Sequence, residues 1–469
     1  VSITEDSAAI TSPADVAHLV NEAGASTRHA RMIVLIALGG VFLDAYDLTS
    51  LAYGETDVAR EFGLGPAGLG AVVSAISFGV LVGSFLGGWL TDKIGRYRMF
   101  MADMVFFVLA ALGAALAPTA WALGGFRFVM GIGVGMDLPV AMAFLTEFSR
   151  LRGKQGKSDR TAAWCPAWYA ATSACYLIIL GLCAVLPADD RGLLWRFVVG
   201  FGAVPALAII LVRKRYINES PSWAADQGDL EGAARILRRT YGIQAHVDSA
   251  AVVRERALPT GYGQLFRPPY RRRTLQNLVA TVGQNIGYNS VAFGLPVIIS
   301  TFLAQGDLTT IVASLLLNAG FAFTGGLVGV SASRRFGAWW MTLVGFGLQL
   351  VAFVTLALIG TPAATATIAL ALLMLGLYLF AQGSGPGANL MTFAALSYPT
   401  SLRGTGVGFS RGVDAIATAS TLFLFPVLTA ALSTGVYWVI AVAPVLGAAA
   451  LLIGRWDPVG HDADAELAS

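Results

Sequence analysis

Apolar residues run in long stretches along this chain, broken by short polar clusters. A helix that crosses a bilayer needs about 20 mostly apolar residues, because it rises 1.5 Å per residue through roughly 30 Å of hydrocarbon. Stretches of that length lie near 32–54, 67–91, 99–117, 120–148, 163–186 and 192–213. A second set lies near 275–303, 308–330, 338–359, 364–392, 405–430 and 434–454. The pattern predicts an all-α membrane protein with twelve transmembrane helices in two pseudo-symmetric six-helix bundles. The division expected is an N-terminal segment over 1–31, a first bundle over 32–213, a middle loop over 214–273, a second bundle over 274–454 and a tail over 455–469.

Composition removes the other readings. Charged residues are 13% of the 469 and hydrophobic ones 56%, with a mean hydropathy of +0.68. A soluble domain carries about a quarter charged residues, so an ordinary soluble enzyme is excluded. The net charge of +3 excludes a nucleic-acid partner. The 54 glycines would be costly in soluble helices but allow close contact between helices in a membrane. Cys165, Cys175 and Cys183 share one apolar stretch and read as small core residues.

Lysine and arginine set the direction of the spans. Lys93, Arg96, Arg98, Arg150, Arg152, Lys154, Lys157, Arg160, Arg213 to Arg215, Arg271 to Arg273, Arg334, Arg335, Arg403 and Arg455 all fall on one side. Arg60 and Arg191 are alone on the other, among acidic residues. Both termini and the middle loop are therefore expected in the cytosol, with the protein in the cytoplasmic membrane. The first thirty residues read as a polar lead-in. In the middle loop, Asp229 can cap a short helix whose Leu230, Ala233, Ile236 and Leu237 share a face, with Gly242 ending it.

The two halves echo each other. Gly88-Trp-Leu-Thr-Asp92-Lys-Ile-Gly95-Arg96 follows span two, and Gly329-Val-Ser-Ala-Ser333-Arg334-Arg-Phe-Gly337-Ala338 follows span eight. Arg152-Gly153 after span four matches Arg403-Gly404 after span ten. The first of these runs resembles the G-x-L-x-D-x-x-G-R signature of the major facilitator superfamily. Arg127-Phe-Val-Met-Gly131-Ile-Gly133-Val-Gly135, Glu147 with Arg152, Trp195-Arg196, Glu219-Ser-Pro221-Ser-Trp223 and Tyr398-Pro399-Thr-Ser-Leu-Arg403-Gly404 are similar to elements of its sugar-porter-like branch. Ser333 and Ala338 depart from the second-half Asp and Arg, so the charge cluster should be stronger in the first half. The resemblance implies a cytosolic gate of Asp92, Arg96, Glu147, Arg152, Arg334 and Arg403, extended by Arg196, with Asp92 at a helix end of the second half. Arg160 competes with Arg152 for that place.

Charges inside the spans point to coupling, because an ionisable group in the membrane costs several kcal/mol unless paired or hydrated. Asp44 and Asp47 share a face of span one at i, i+3 spacing. Arg127 of span four lies at a similar depth by helical rise, so an Asp44–Arg127 or Asp47–Arg127 pair is expected. Asp137 lies further along span four. A membrane carboxylate can carry a proton, since desolvation favours its neutral form and a nearby Arg its charged form. A static bridge between spans one and four is the alternative. Span eleven carries Arg411 and Asp414, also i, i+3. A guanidinium there suits a carboxylate or phosphate, or Asp414 neutralises it alone. Tyr46, Gln284, Asn285, Tyr288, Asn289 and Asn389 are candidates to bind the solute, with Trp168, Tyr169, Phe293, Tyr378 and Gln382 as further lining. Asp-x-x-Asp in span one resembles the aromatic-acid:proton symporters. Asp137 before Pro139 and Gly385-Pro386-Gly-Ala-Asn389 look closer to phosphate:proton symporters.

There is no GxxxxGK[ST] run for ATP, no metal-ligand spacing and no nucleophile elbow. The reading is a non-enzymatic, monomeric symporter with no cofactor beyond the proton gradient. It would import a small anionic or polar metabolite, an organic or aromatic acid or phosphate, by alternating access. A sugar or polyol:proton symporter and a proton-driven efflux antiporter are the alternatives.

Overall fold

The computed structural model describes residues 8–23, 28–51, 54–149, 156–187, 192–248, 261–303, 307–360, 364–464 and 466. Among the described residues, each predicted stretch coincides with a helix or a run of consecutive helices. The first half holds Arg28–Ser50, Pro66–Ile94, Arg96–Ala115, Ala120–Glu147, Lys157–Ala162 with Trp164–Val185, and Leu194–Phe201 with Ala203–Tyr216. The second half holds Tyr270–Leu303, Asp307–Leu317 with Phe323–Phe336, Ala338–Ile359, Thr365–Ser384 with Pro386–Leu396, Thr400–Leu432, and Val436–Ile440 with Val442–Gly454. They are called spans one to twelve below. Ten helices are long and apolar enough to cross a membrane by length and composition among the described residues. Spans seven and eleven are not among them and carry Gln284, Asn285, Asn289, Arg403, Arg411 and Asp414.

Local chemistry explains the breaks. Thr119 begins span four by accepting a bond from the Ala122 N–H at 3.2 Å. Span ten divides at Gly385, and Pro386 opens its second part, where a missing N–H costs nothing. The outward faces are apolar: Leu35, Phe78, Leu109, Leu211, Phe423 and Ile453 are each more than half exposed. Such a belt is tolerable only against lipid.

The repeat read from sequence is structural. Gly95 turns the chain between spans two and three at φ 109°, and Gly337 turns it between spans eight and nine at φ 89°. Only glycine enters that region without strain. A carboxylate that follows the last span of the same half secures each turn. Glu219 accepts from the Arg96 and Tyr97 N–H groups at 2.9 and 3.2 Å. Asp457 accepts from the Trp339 N–H at 3.2 Å.

The two halves meet closely along spans two and eleven. A Cβ at Gly88 would sit 2.6 Å from the Gly404 carbonyl and 2.8 Å from the Gly408 Cα. No side chain fits there, so the helices touch by backbone.

The N-terminal segment departs from the expected lead-in. Strand β1 (Ala8–Ile10) pairs in parallel with β2 (Ala245–Val247) of the middle loop, and helix Pro13–Ala23 packs on helix Pro221–Asp226. Ile10, Val16 and Val20 are buried in one cluster with Leu230, Ala233 and Leu237. A polar average hid this small apolar face. Asp229 caps helix Leu230–Ile236 through the Gly232 N–H at 2.7 Å, and the helical run continues to Tyr241 before Gly242 at φ 74°. The Tyr241 hydroxyl donates to the Glu147 carbonyl at 2.6 Å, which ties the middle loop to span four.

Candidate transport site

A cavity of about 150 Å³ lies between the halves. Spans one, two, four and five line one wall and spans seven, eight, ten and eleven the other. Drug-sized ligands occupy roughly 300–1,000 Å³, so the space suits a smaller solute. Four residues of span seven, Gln284, Asn285, Tyr288 and Asn289, line it together with Arg411, Asp414 and Thr418 of span eleven. Their spacing on span seven puts them on one face.

These groups form a continuous polar network. The Asp414 carboxylate accepts from Arg411 with one oxygen and from the Asn285 amide with the other. Asn289 donates to the Asn285 side-chain oxygen, and Thr418 donates to the same oxygen at 3.0 Å. Across the cavity, the Trp168 indole of span five donates to the Tyr288 hydroxyl at 3.0 Å. The Arg411 guanidinium lies 5.9 Å from the Trp168 ring centre. Gln382 also faces the cavity and accepts from Gln349 at 2.7 Å.

Three expected lining residues, Tyr46, Asn389 and Tyr378, lie elsewhere. Tyr46 is buried within the first half, and its hydroxyl donates to the Val198 carbonyl at 2.7 Å. Asn389 is buried beside the break in span ten and donates to the Gly385 carbonyl at 2.9 Å. Tyr46 satisfies a neighbouring helix, and Asn389 a carbonyl of its own. Tyr378 packs on Phe353 at 4.8 Å. Arg152 and the Phe293 side chain lie outside the described residues.

The carboxylates of the first half are arranged differently from expectation. Asp47 is fully buried, but Arg127 donates to its backbone carbonyl at 3.1 Å rather than to its carboxylate. The carboxylate oxygens of Asp44 and Asp47 have no hydrogen-bond partner among the described residues. Asp137 pairs with Arg213 of span six at 2.9 Å, and the other Nη of Arg213 reaches Asp103 of span three at 2.6 Å. The same guanidinium lies 3.3 Å from the centre of the Phe100 ring. A Cβ at Gly40 of span one would stand 2.5 Å from Asp137, so glycine lets span one close over this cluster. The charged groups that act most strongly on Asp44 include the acids Asp137, Asp103 and Asp47 of its own half and the cation Arg411 of the other half. Of the two expected partners of Arg127, Asp47 is the one its charge acts on, and Asp44 feels Arg411 of the other half instead.

Sequence reasoning missed Asp103 and assigned Arg213 to a basic loop. An interior Asp in span three was a readable signal, since such groups are costly in a membrane.

At the terminus-bearing end lies a second network. Asp92 accepts from the Gly404 and Thr405 N–H groups at 3.1 and 2.7 Å, at the start of span eleven. Arg96 bridges to Glu147 at 2.9 Å and stands 3.5 Å from Asp92. Glu147 also meets Arg403 at 3.2 Å, and Arg403 meets Asp464 of the tail at 3.3 Å. Arg334 stands apart from these groups and pairs with Asp159, because span five carries that acid to it. Arg160 donates to the Phe148 carbonyl at 2.9 Å. Arg196 lies at the opposite end with Glu61, since span six begins there.

The sequence profile of the family described as sugar (and other) transporter matches residues 32–455. The chain belongs to that family. The fold is that of the major facilitator superfamily, and the protein is a multi-pass membrane transporter of a small molecule rather than an enzyme. Among relatives, the Escherichia coli (strain K12) inner membrane metabolite transport protein YgcS is 28% identical over 91% of this chain and 89% of its own length. The Staphylococcus epidermidis glucose transporter GlcP is 26% identical over 90% of this chain and 92% of that protein. The Corynebacterium glutamicum gentisate transporter is 24% identical over 82% and 78%. The proton:xylose symporter XylE bound to 6-bromo-6-deoxy-D-glucose superposes with a TM-score of 0.78 at 18% identity, over 94% of this chain and 98% of that one. An inward-open form of the xylose transporter XylE from E. coli gives a TM-score of 0.68 over 93% and 99% at 18% identity.

Proposed function

We propose that this chain is a symporter that imports a small neutral polyhydroxyl solute, a sugar or polyol, together with protons. One observation carries the choice of solute: Arg411, the cation on the second-half wall among the described lining residues, is committed to Asp414. Besides Arg127 on the first-half wall and the apolar side chains, what faces the cavity is amides, hydroxyls and indole. Amides and phenols offer directional bonds to hydroxyls, and flat aromatic walls suit the apolar faces of a sugar ring. The family and the glucose and xylose transporters among the similar proteins support this reading over the anion favoured by sequence alone.

Coupling follows from the position of Asp44 and Asp47. A buried carboxylate can take a proton and release it when a cation or water approaches. Arg411 stands on the other half, so rocking of the halves changes its distance to Asp44 and with it the proton affinity. The basic, terminus-bearing face is cytosolic by its lysine and arginine excess, and its closed network makes this an outward-facing or occluded state.

A second reading, a small carboxylate, is favoured by two arginines, Arg127 and Arg411, at the cavity and by the gentisate transporter among the relatives. Uptake into proteoliposomes with an alkaline interior separates the two. Glucose, xylose or a polyol should be accumulated or should compete for uptake, whereas benzoate, gentisate and phosphate should not. Accumulation of an acid with no effect of any sugar overturns the first reading.

A further inference from the structure

A cleft of about 750 Å³ opens beside the terminus-bearing ends of spans two and three, apart from the transport cavity. The turn between those spans forms one wall, and the middle-loop helices Pro221–Asp226 and Leu230–Ile236 form the other. Lys93 and Arg98 project from the first wall, Arg235 and Arg239 from the second. All four are exposed, and none forms a salt bridge among the described residues. The acids of the cleft are already committed. Glu219 holds the Arg96 and Tyr97 N–H groups, and Asp229 caps its own helix.

Four uncommitted cations converging on one concavity repel each other unless an anion joins them. Arg235 and Arg239 are four residues apart, so their guanidinium groups rise from adjacent turns. Planar guanidinium forks grip phosphate oxygens in pairs, and a lysine adds a mobile point charge. The rim is apolar on the side of the lipid belt. Ile94 is 39% exposed, and the Lys93 ammonium lies 4.0 Å above the Trp89 ring. A cationic pocket with an apolar lip, set where a helix leaves the bilayer, matches a phosphate group attached to an acyl-bearing glycerol.

We propose that this cleft binds a phosphate-bearing anion: the headgroup of an anionic phospholipid, or a soluble phosphomonoester of the same chemistry. The bound anion ties the middle-loop helices to the turn that carries Arg96. The Trp223 indole, on the same middle-loop wall, already donates to the Asp92 carbonyl at 2.8 Å. An occupant of the cleft therefore strengthens the contact next to the gate.

The test uses the full chain in nanodiscs of phosphatidylcholine, with or without phosphatidylglycerol, and reads the thermal midpoint. Phosphatidylglycerol should raise it by roughly 2–4 °C, as expected for a ligand that binds only the folded form. The pairs Lys93→Gln with Arg98→Gln, and Arg235→Gln with Arg239→Gln, should each remove most of that rise. Arg271→Gln with Arg335→Gln, on the same face but outside the cleft, should keep it. Glycerol phosphate titrated into phosphatidylcholine discs identifies the source. A rise there assigns a soluble ligand, and a rise with phosphatidylglycerol alone assigns a lipid. No rise in either arm, or a rise that survives all four cleft substitutions, or one lost equally in the control pair, overturns the proposal.

Discussion

Arg213 stands in sequence with Lys214 and Arg215, a setting that reads as a solvated basic end of span six. In the fold it is wholly buried, with one Nη on Asp103, the other on Asp137, and its plane against Phe100. Removing a cation from such a cluster leaves two carboxylates without their counter-charge, which costs about 3–5 kcal/mol. Arg213→Ala should therefore lower the unfolding midpoint of purified protein sharply. Arg213→Lys, which keeps the charge but loses the fork and the ring contact, should cost less. Equal midpoints for Arg213→Ala and the unaltered protein would remove the cluster from the stability of the first half. The residue scale also marks where sequence reading stops. The burial cost of Asp137 is legible from its position in an apolar helix. Its partner, 76 residues away, is not. Nor does spacing tell that Arg127 would hydrogen-bond the Asp47 carbonyl and act on its carboxylate through charge alone.

Elements outside the membrane carry a pH response. Burial, followed by the like charge of Asp464, pushes the Asp226 carboxyl up to about 7. Glu147 adds to that rise, while Arg96 and Arg403 oppose it. Asp464 itself is held below the ordinary carboxylate range, against its burial, by Arg403, Lys157 and bonds from Thr400. If opening of this face separates the tail from helix Pro221–Asp226, Asp226 returns to water and to its usual value of about 4. The closed face then binds one more proton than the open one between about 4 and the raised value of about 7. Linkage makes closure weaken as pH rises through that interval and level off above it. Distances between spin labels on the two halves at this end should report more closed molecules as pH falls from about 8 to about 6. Asp226→Asn should flatten the response, and an unchanged response in that variant would assign it to another group. The middle-loop helix was readable from its cap and its apolar face. The docking of the N-terminal strand and helix on it was not, because Val16, Leu19 and Val20 mark an apolar helix face but not the surface it packs on.

At the scale of the whole molecule, the transport cavity exists only because two six-helix halves face each other. Asp44 belongs to one half and Arg411 to the other, and Asp92, Arg96 and Glu147 of the terminus-bearing network belong to the first half while Arg403 and the Gly404 and Thr405 N–H groups belong to the second. These pairs are buried, so removing one partner costs about 3–5 kcal/mol, and a network that parts as a unit can bias a two-state equilibrium. On the proposed coupling, Asp44→Asn removes the charge on which Arg411 acts. Proton-driven accumulation should fall to the equilibrated level, while exchange of labelled for unlabelled solute should persist. Loss of both would mark Asp44 as structural, and retention of accumulation would shift coupling to Asp47.

The sequence by itself determined the helices, their order and the two-fold repeat. Those properties follow from local burial cost: each apolar stretch must pair its own backbone in hydrocarbon, whatever its neighbours do. Span-seven polar residues were legible for the same reason, since buried amides need partners. Only the tertiary structure decided which charges meet. It matched Asp137 with Arg213, committed Arg411 to Asp414, turned Tyr46 and Asn389 away from the cavity and brought the tail to Arg403. Pair energies fall with distance in space, not in sequence, so the balance of charge that tells a sugar from an acid emerges only when the halves are packed.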